Sequence, residues 1–315
     1  VPPQLLEGRE MQNFTSDRVR GGRWRRLMAC GLVAAGLLGG VLPAAAERAP
    51  WKWAFSLRGG EKVPVPLAPT AVYVDQARER YYLVDSGGNR IFSYDRAGNF
   101  LKLFDAEGAL AAPFDMVRLG SGTLLLVEKG ANSVTRIDLK ARRTERKSLR
   151  FQGREIFVDR MESAGDDLYV LDRASGDVFR LSRDLEVVGR HVSPTGSRGI
   201  VDFRVDDRGL WLLDSMGRRL YRVDGGGTLA ASIELGESVQ FPVSFDRDDS
   251  GNFYVLDRHA GTVVVYDASG RERYRFLTKG HNQGRLYFPM EVRFDPWGRL
   301  WVVDEGNGRV EFFER

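Results

Sequence analysis

The residues best placed to do chemistry are four acids: Asp115, Asp159, Asp202 and Glu291. Each stands near the start of a short apolar stretch, and the four stretches recur at similar intervals. A partial ring of carboxylates of this kind is what a hard divalent cation such as calcium would need. The same four acids have arginines close by in sequence, Arg118, Arg160, Arg204 and Arg293, and solvation or simple ion pairing on the strand is the better account of them. The histidines are His191, His259 and His281. They do not occupy matching positions, so a zinc site built from equivalent inner positions is not expected. The single cysteine, Cys30, cannot form an internal disulfide. No serine–histidine or cysteine nucleophile arrangement is visible, and no phosphate-cradling glycine loop precedes a helix. The expectation is a chain without a metal or cofactor and without a catalytic residue that can be named.

The elements that must position these acids are set by a repeat. A short apolar strand ending in an acid occurs six times: YYLVD to Asp85, LLLVE to Glu128, LYVLD to Asp172, LWLLD to Asp214, FYVLD to Asp257 and LWVVD to Asp304. The intervals are 43, 44, 42, 43 and 47 residues, a propeller-blade period. Six residues after each acid stands an aliphatic residue: Ile91, Val134, Val178, Leu220, Val263, Val310. Ten residues after it stands a polar one: Asp95, Asp138, Ser182, Asp224, Asp267, Glu314. These offsets predict a β-hairpin in every copy, with the strand-end acid pinning the turn through backbone N–H groups two residues on. A carboxylate repeated six times at equivalent places reads as structural.

The strands are apolar on both faces, as expected where sheets stack face to face. A further strand precedes each hairpin (AVYVD, FDMVRL, IFVDRM, VDFRV, PVSFD, MEVRFD) and another follows it. The sixth copy stops at the terminus without its last strand. Residues 51–57, WKWAFSL, precede the first copy and supply the missing strand, closing the ring. The fold expected is therefore all-β: a six-bladed β-propeller of four-stranded blades over residues 47–315, its last blade completed by the N-terminal strand.

The last copy, FPMEVRFDPWGRLWVVDEGNGRVEFFE, carries Pro289, Asp295, Gly298, Asp304, Gly306, Asn307, Arg309, Val310 and Phe313. It resembles the NHL repeat, and the first copy does so through DSGGNRIFSYDRAG from Asp85 to Gly98. The middle copies keep the spacing but lose the Asn and Arg of the turn. The resemblance covers about residues 51–315. It implies a propeller that binds proteins or RNA on one face of the disc. More distant six-bladed relatives, lyases and lactonases with a metal in the channel, supply the alternative of a calcium- or zinc-dependent hydrolase or lyase. The absence of a cysteine cluster gives no support to a ubiquitin-ligase reading.

Loops entering the innermost strands form one face in such a fold. They carry Phe114, Phe157, Phe241 and Phe288 with Pro69, Pro113, Pro242 and Pro289, a composition that suits partner docking. A basic run, LKARRTERKSLR, holds Lys140, Arg142, Arg143, Arg146, Lys147 and Arg150. It falls on the outer edge of the second blade, where it could meet an anionic partner or simply discourage edge pairing.

The formal net charge is +4. Residues 1–46 hold six arginines against three acids, which leaves 41 basic and 40 acidic residues in the remainder. That near-neutral balance argues against a nucleic-acid partner. An uncharged apolar run from Leu27 to Ala46 follows Arg26 and ends in Ala44-Ala45-Ala46, the pattern of a signal peptide cleaved after Ala46. Residues 1–46 thus read as a leader, with Met11 a candidate start. The protein is expected to be periplasmic or secreted, monomeric and free of stable membrane insertion after cleavage. An anchor over residues 27–46 is the alternative, and Arg25-Arg26 leaves the twin-arginine route open beside the general one. The sequence expectation for function is a non-catalytic scaffold for a protein partner.

Overall fold

The computed structural model describes residues 49–315 other than 142 and 166. The leader and Arg142 lie outside these residues, as do the expectations about cleavage and anchoring. No helix among the described residues is long and apolar enough to cross a membrane.

Six four-stranded antiparallel sheets form the blades of a β-propeller. The innermost strands are Pro69–Asp75, Pro113–Arg118, Val158–Ala164, Ile200–Asp206, Pro242–Arg247 and Glu291–Phe294, in blades one to six. In blades one to five the four strands follow in chain order. In blade six the outermost place is taken by Lys52–Leu57, which pairs antiparallel with Arg309–Glu314. The expected closure is therefore present. Phe55 stacks on Phe312 with ring centroids 4.5 Å apart, and Leu57 is fully buried.

The core is divided among the blade interfaces. Six apolar clusters occur among the described residues, each bridging two neighbouring blades. The cluster of Leu57, Val72, Leu83, Trp301 and Phe312 joins blade six to blade one. Middle strands such as Leu124–Glu128 and Leu300–Asp304 are buried along their whole length because neighbouring blades cover both their faces. Outer strands such as Phe100–Phe104 are mostly exposed or half-buried.

The strand-end acids hold each blade to its own entry loop more than to its turn. Asp85 accepts from Leu67 N and Ala68 N at 2.9 and 2.8 Å, Asp172 from Phe157 N at 2.9 Å, and Asp304 from Tyr287 N at 2.6 Å. The predicted turn contacts exist alongside, as at Asp257, which also accepts from His259 N and Ala260 N at 2.9 Å. Glu128, the one longer acid of the six, accepts from Ala111 N at 2.6 Å, from the Thr135 hydroxyl and from Arg146 Nε. The long interval before the last copy has a local cause. Thr278–Lys279 and Arg285–Leu286 pair as an extra two-stranded piece. It crosses over Gly261, where an added Cβ would come within 2.8 Å of Leu286 O and 2.9 Å of Lys279 Cα. The positive φ of 61° there likewise favours glycine.

Candidate functional site

An innermost strand has one paired edge and one free edge, and the free edge faces the channel with unsatisfied N–H groups. The channel side chains answer that need. At the place opposite the residue before each strand-end acid stand Ala71, Asp115, Arg160, Asp202, Ser244 and Glu291. Two residues further on, on the same face, stand Tyr73, Val117, Glu162, Arg204, Asp246 and Arg293.

These two tiers staple every blade to the next. Asp115 Oδ2 accepts from Met161 N at 2.9 Å, joining blade two to three. Glu162 Oε1 accepts from Val205 N, and Asp202 Oδ2 from Phe245 N, both at 3.2 Å. Ser244 Oγ and Asp246 Oδ2 accept from Val292 N and Phe294 N at 3.2 and 2.7 Å. Glu291 Oε2 accepts from Val72 N at 3.2 Å. Between blades one and two the sense reverses: the Thr70 and Tyr73 hydroxyls donate to Phe114 O and Arg118 O at 2.7 and 3.1 Å.

Arginines occupy what the backbone leaves. Arg204 donates to both Asp202 oxygens at 2.9 and 3.0 Å, and Arg293 Nε donates to Glu291 Oε1 at 3.0 Å. Arg160 spans the channel from blade three to blade six, where Nη2 donates to Met290 O at 3.3 Å. Below this tier a cavity of about 290 Å³ is lined by Tyr73, Glu162, Arg204, Asp246, Glu291 and Arg293, among others. Burial pushes the Glu291 and Glu162 carboxyls up to about 8 and Asp115 to about 6, against the opposing pull of Arg160 or Arg204. Asp246 is raised for the same reason. Glu162 keeps some surface open to the channel, and its Oε2 is a buried atom with no hydrogen-bond partner.

The expected ring of four acids needs correction. Asp115, Asp202 and Glu291 share one tier. Asp159 does not: it is the residue skipped by the bulge between Val158 and Arg160, a bulge that blades one to five share, so it matches Phe114 and Val201 while Arg160 holds the tier position. Asp159 turns instead to Lys129 at 2.5 Å, a lysine lowered by its own burial. The same-strand pairing holds for Arg204 and Arg293 and fails for the other two: Arg118 pairs with Asp75 at 3.3 Å, not with Asp115. The three acids that do share a tier are each occupied by a neighbouring blade's N–H or an arginine. Among the described residues no three His, Cys, Asp or Glu side chains are placed to hold a metal ion. The residues present therefore do not fit a divalent-cation centre.

The aromatic rim divides. Phe114 is buried, covered by Lys129, whose Nζ lies 3.1 Å from the ring centroid, and by Arg160. Phe157 and Phe241 are 41% and 40% exposed, and Met216, which sequence reasoning passed over, is 71% exposed. Phe241 stacks on His259 at 4.5 Å, and Phe288 is half-buried beneath Arg258 and Lys279. All these stand on one face, where turn and entry loop meet: Arg173 N donates to Phe157 O, Ser215 N to Gly199 O and Arg258 N to Phe241 O. His281 Nδ1 meets Asn307 Oδ1 at 2.7 Å, and His191 is lowered chiefly by burial.

The basic run is only partly free. Arg143–Lys147 is the outer strand of blade two, as expected. Arg146 is held by Glu128 and Ala109 O, Lys147 by Glu186 and Arg150 by Glu155. Lys140 is exposed, and Arg143 reaches Glu145 only at 3.6 Å.

Comparison with known proteins places the architecture and little else. No family model and no curated protein matches the chain. Among solved structures, a gluconolactonase from Xanthomonas campestris superposes with a TM-score of 0.62 at 15% identity, covering 87% of this chain and 98% of the other. A streptogramin B lyase does so at 0.60 and 13%, covering 82% and 97%. The WD40 propeller domain of Doa1 follows at 0.57 and 12%, covering 84% and 97%. At such identities the likeness is one of fold: the chain is a six-bladed β-propeller.

Proposed function

We propose that this chain is an NHL-repeat-type propeller that works as a non-catalytic scaffold, exported and freed of its leader after Ala46, and that it holds a protein partner on the face where the loops enter the innermost strands. One observation carries the reading. The channel carboxylates are spent on joining blades, whereas Phe157, Met216 and Phe241, on three successive blades, are each exposed on the loop face. Exposed aromatics on a rigid scaffold are the usual anchors of a protein interface. The test is affinity capture from the native envelope with the full chain and with a Phe157→Ala/Phe241→Ala variant of equal melting temperature. A partner lost from the variant supports the reading. A partner retained by the variant, or none captured by either, overturns it. Mass spectrometry of the same material should find the mature N-terminus at Glu47; an intact leader would refute the export step.

Catalysis in the channel is the second reading, and one observation favours it. Glu162 lies at a cavity with one unpartnered oxygen, and burial raises its carboxyl to about 8, the direction that suits a general acid. Because a structural neighbour is a gluconolactonase, a panel of sugar lactones is the reasonable assay. Turnover abolished by Glu162→Gln would establish this reading; an inert wild-type protein, with and without calcium or zinc, would remove it.

A further inference from the structure

The loop face is not uniform. Blade three carries an added hairpin, Arg150–Phe151 paired with Arg154–Glu155, which no other blade has among the described residues. Between this hairpin and the turn after Asp172 lies a cavity of about 810 Å³, with Phe151, Ile156, Phe157 and Phe179 among its walls. That volume accommodates a large side chain with its neighbours. Phe157 is one of its walls, and Met216 and Phe241 are the exposed large apolar side chains on the same face at blades four and five.

The charges left unpaired beside this surface are mainly of one sign. Arg154, Arg173 and Arg198 are exposed and Arg218 is half-buried, and none of the four makes an ion pair among the described residues. The neighbouring acids are mostly occupied: Glu155 by Arg150, Asp177 by Arg190, Asp172 by Phe157 N and the Ser175 hydroxyl, and Asp214 by Arg198 N and Gly217 N. Glu237 is the exposed acid left on these loops. Resting on the scaffold reading above, we propose that blades three to five dock an acidic protein segment, which seats a bulky apolar side chain in the cavity beside Phe157 and sets its carboxylates against Arg154, Arg173 and Arg198. The apolar anchor gives affinity, and the unpaired guanidinium groups give orientation and rate. A concave pocket behind the aromatics suits a folded or extended peptide chain better than a flat lipid surface.

The test is a selection of random displayed peptides on the full chain. Binders should be rich in Asp and Glu around one bulky apolar residue, and their affinity should fall with added salt. Arg173→Glu/Arg198→Glu should weaken them by at least about tenfold, as should Phe157→Ala, with melting temperatures near that of the wild type. Arg154→Glu, at the hairpin, provides an independent charge reversal if the double variant folds poorly. Binders without acidic bias that still depend on Phe157 and Phe241 overturn this inference and leave the scaffold reading standing. No enrichment, or binders indifferent to every loop-face variant, overturns both. Vesicles of phosphatidylglycerol and phosphatidylethanolamine, and a single-stranded RNA, are run beside the peptides. Either one binding more tightly than the peptides through the same arginines would assign the surface to that class and sink the proposal.

Discussion

The channel and the loop face are built from the same residue types and put them to opposite uses. In the channel, Asp115, Asp202 and Glu291 meet partners fixed by the neighbouring blade, and Arg204 and Arg293 are paired within the tiers. On the face, Arg173 and Arg198 meet no acid, and Phe157 and Phe241 are only partly covered. Polar groups that are buried and bonded hold a structure together; polar and aromatic groups left open at a rim are available to another molecule. Substitutions in the first region should therefore change stability, and those in the second should change binding.

The largest effect should come from a change in neither region but in the ring that carries both. Removing residues 51–59 takes away the outer strand of blade six and the ring closure, exposing Phe312 and the edge of Arg309–Glu314. The shortened chain should aggregate or unfold; a stable monomer by size exclusion and circular dichroism would refute closure as the keystone.

Next in size is Asp202→Ala. It strips Arg204 of a two-pronged partner, leaves Arg293 with a weaker set, and orphans Phe245 N in a buried place. Breaking such a buried pair from one side should cost roughly 3–5 kcal/mol in denaturant unfolding. A cost under about 1 kcal/mol would show that channel pairing is incidental.

The raised carboxyls give a smaller and signed effect. Glu291 and Glu162 ionise near 4.5 when unfolded and near 8 when folded, so the folded chain binds more protons between those values. Their contribution is fully present below about pH 4.5 and is lost as pH rises to about 8. Asp115, at about 6, acts in the same direction. Asp206 and Asp248 are lowered, largely by Arg222 and by Asn252 respectively, and act oppositely at more acid pH. Stability should thus fall as pH rises from about 5 to 8. Glu291→Gln, which can keep one acceptor for Val72 N, should flatten that fall. A profile that rises over this window, or one that the variant leaves unchanged, would contradict the arrangement of charges in the channel.

How much of this the sequence disclosed depends on how local each feature is. The six copies and their offsets were readable because every blade repeats one hairpin, and the closing strand because the sixth copy lacked a partner for Arg309–Glu314. Asp115, Asp202 and Glu291 do stand on innermost strands, as their place in the repeat predicts, but what they bind is the N–H of another blade, a contact set by ring geometry. Asp159 was misplaced by one residue: like Asp115 it stands thirteen residues before its strand-end acid, but blade three joins its first two strands by a shorter turn, Ala164 pairing with Asp167 where Arg118 pairs with Leu124 in blade two, and this brings Arg160 into register. Counting two residues on from each tier member would have found Glu162 and Asp246. Phe114 could not be told from Phe157 by type or position: Lys129 and Arg160, from two different blades, cover the one and leave the other open.

The smallest effect tests the contrast inside the basic run itself. Arg146 and Arg143 lie on one strand three residues apart, yet Arg146 Nε donates at 2.9 Å to Glu128, which is fully buried, while Arg143 extends into solvent. Removing the Arg146 guanidinium leaves Glu128 with Ala111 N and the Thr135 hydroxyl, so Arg146→Ala should cost about 1–2 kcal/mol. Arg143→Ala should change stability by less than about 0.5 kcal/mol, since an exposed contact at 3.6 Å carries little. The pair also separates two meanings of the patch. If Arg143→Glu weakens capture of the partner while stability holds, the outer edge of blade two belongs to the binding surface; if capture is indifferent, its charges serve only to keep the edge of blade two from pairing with another sheet.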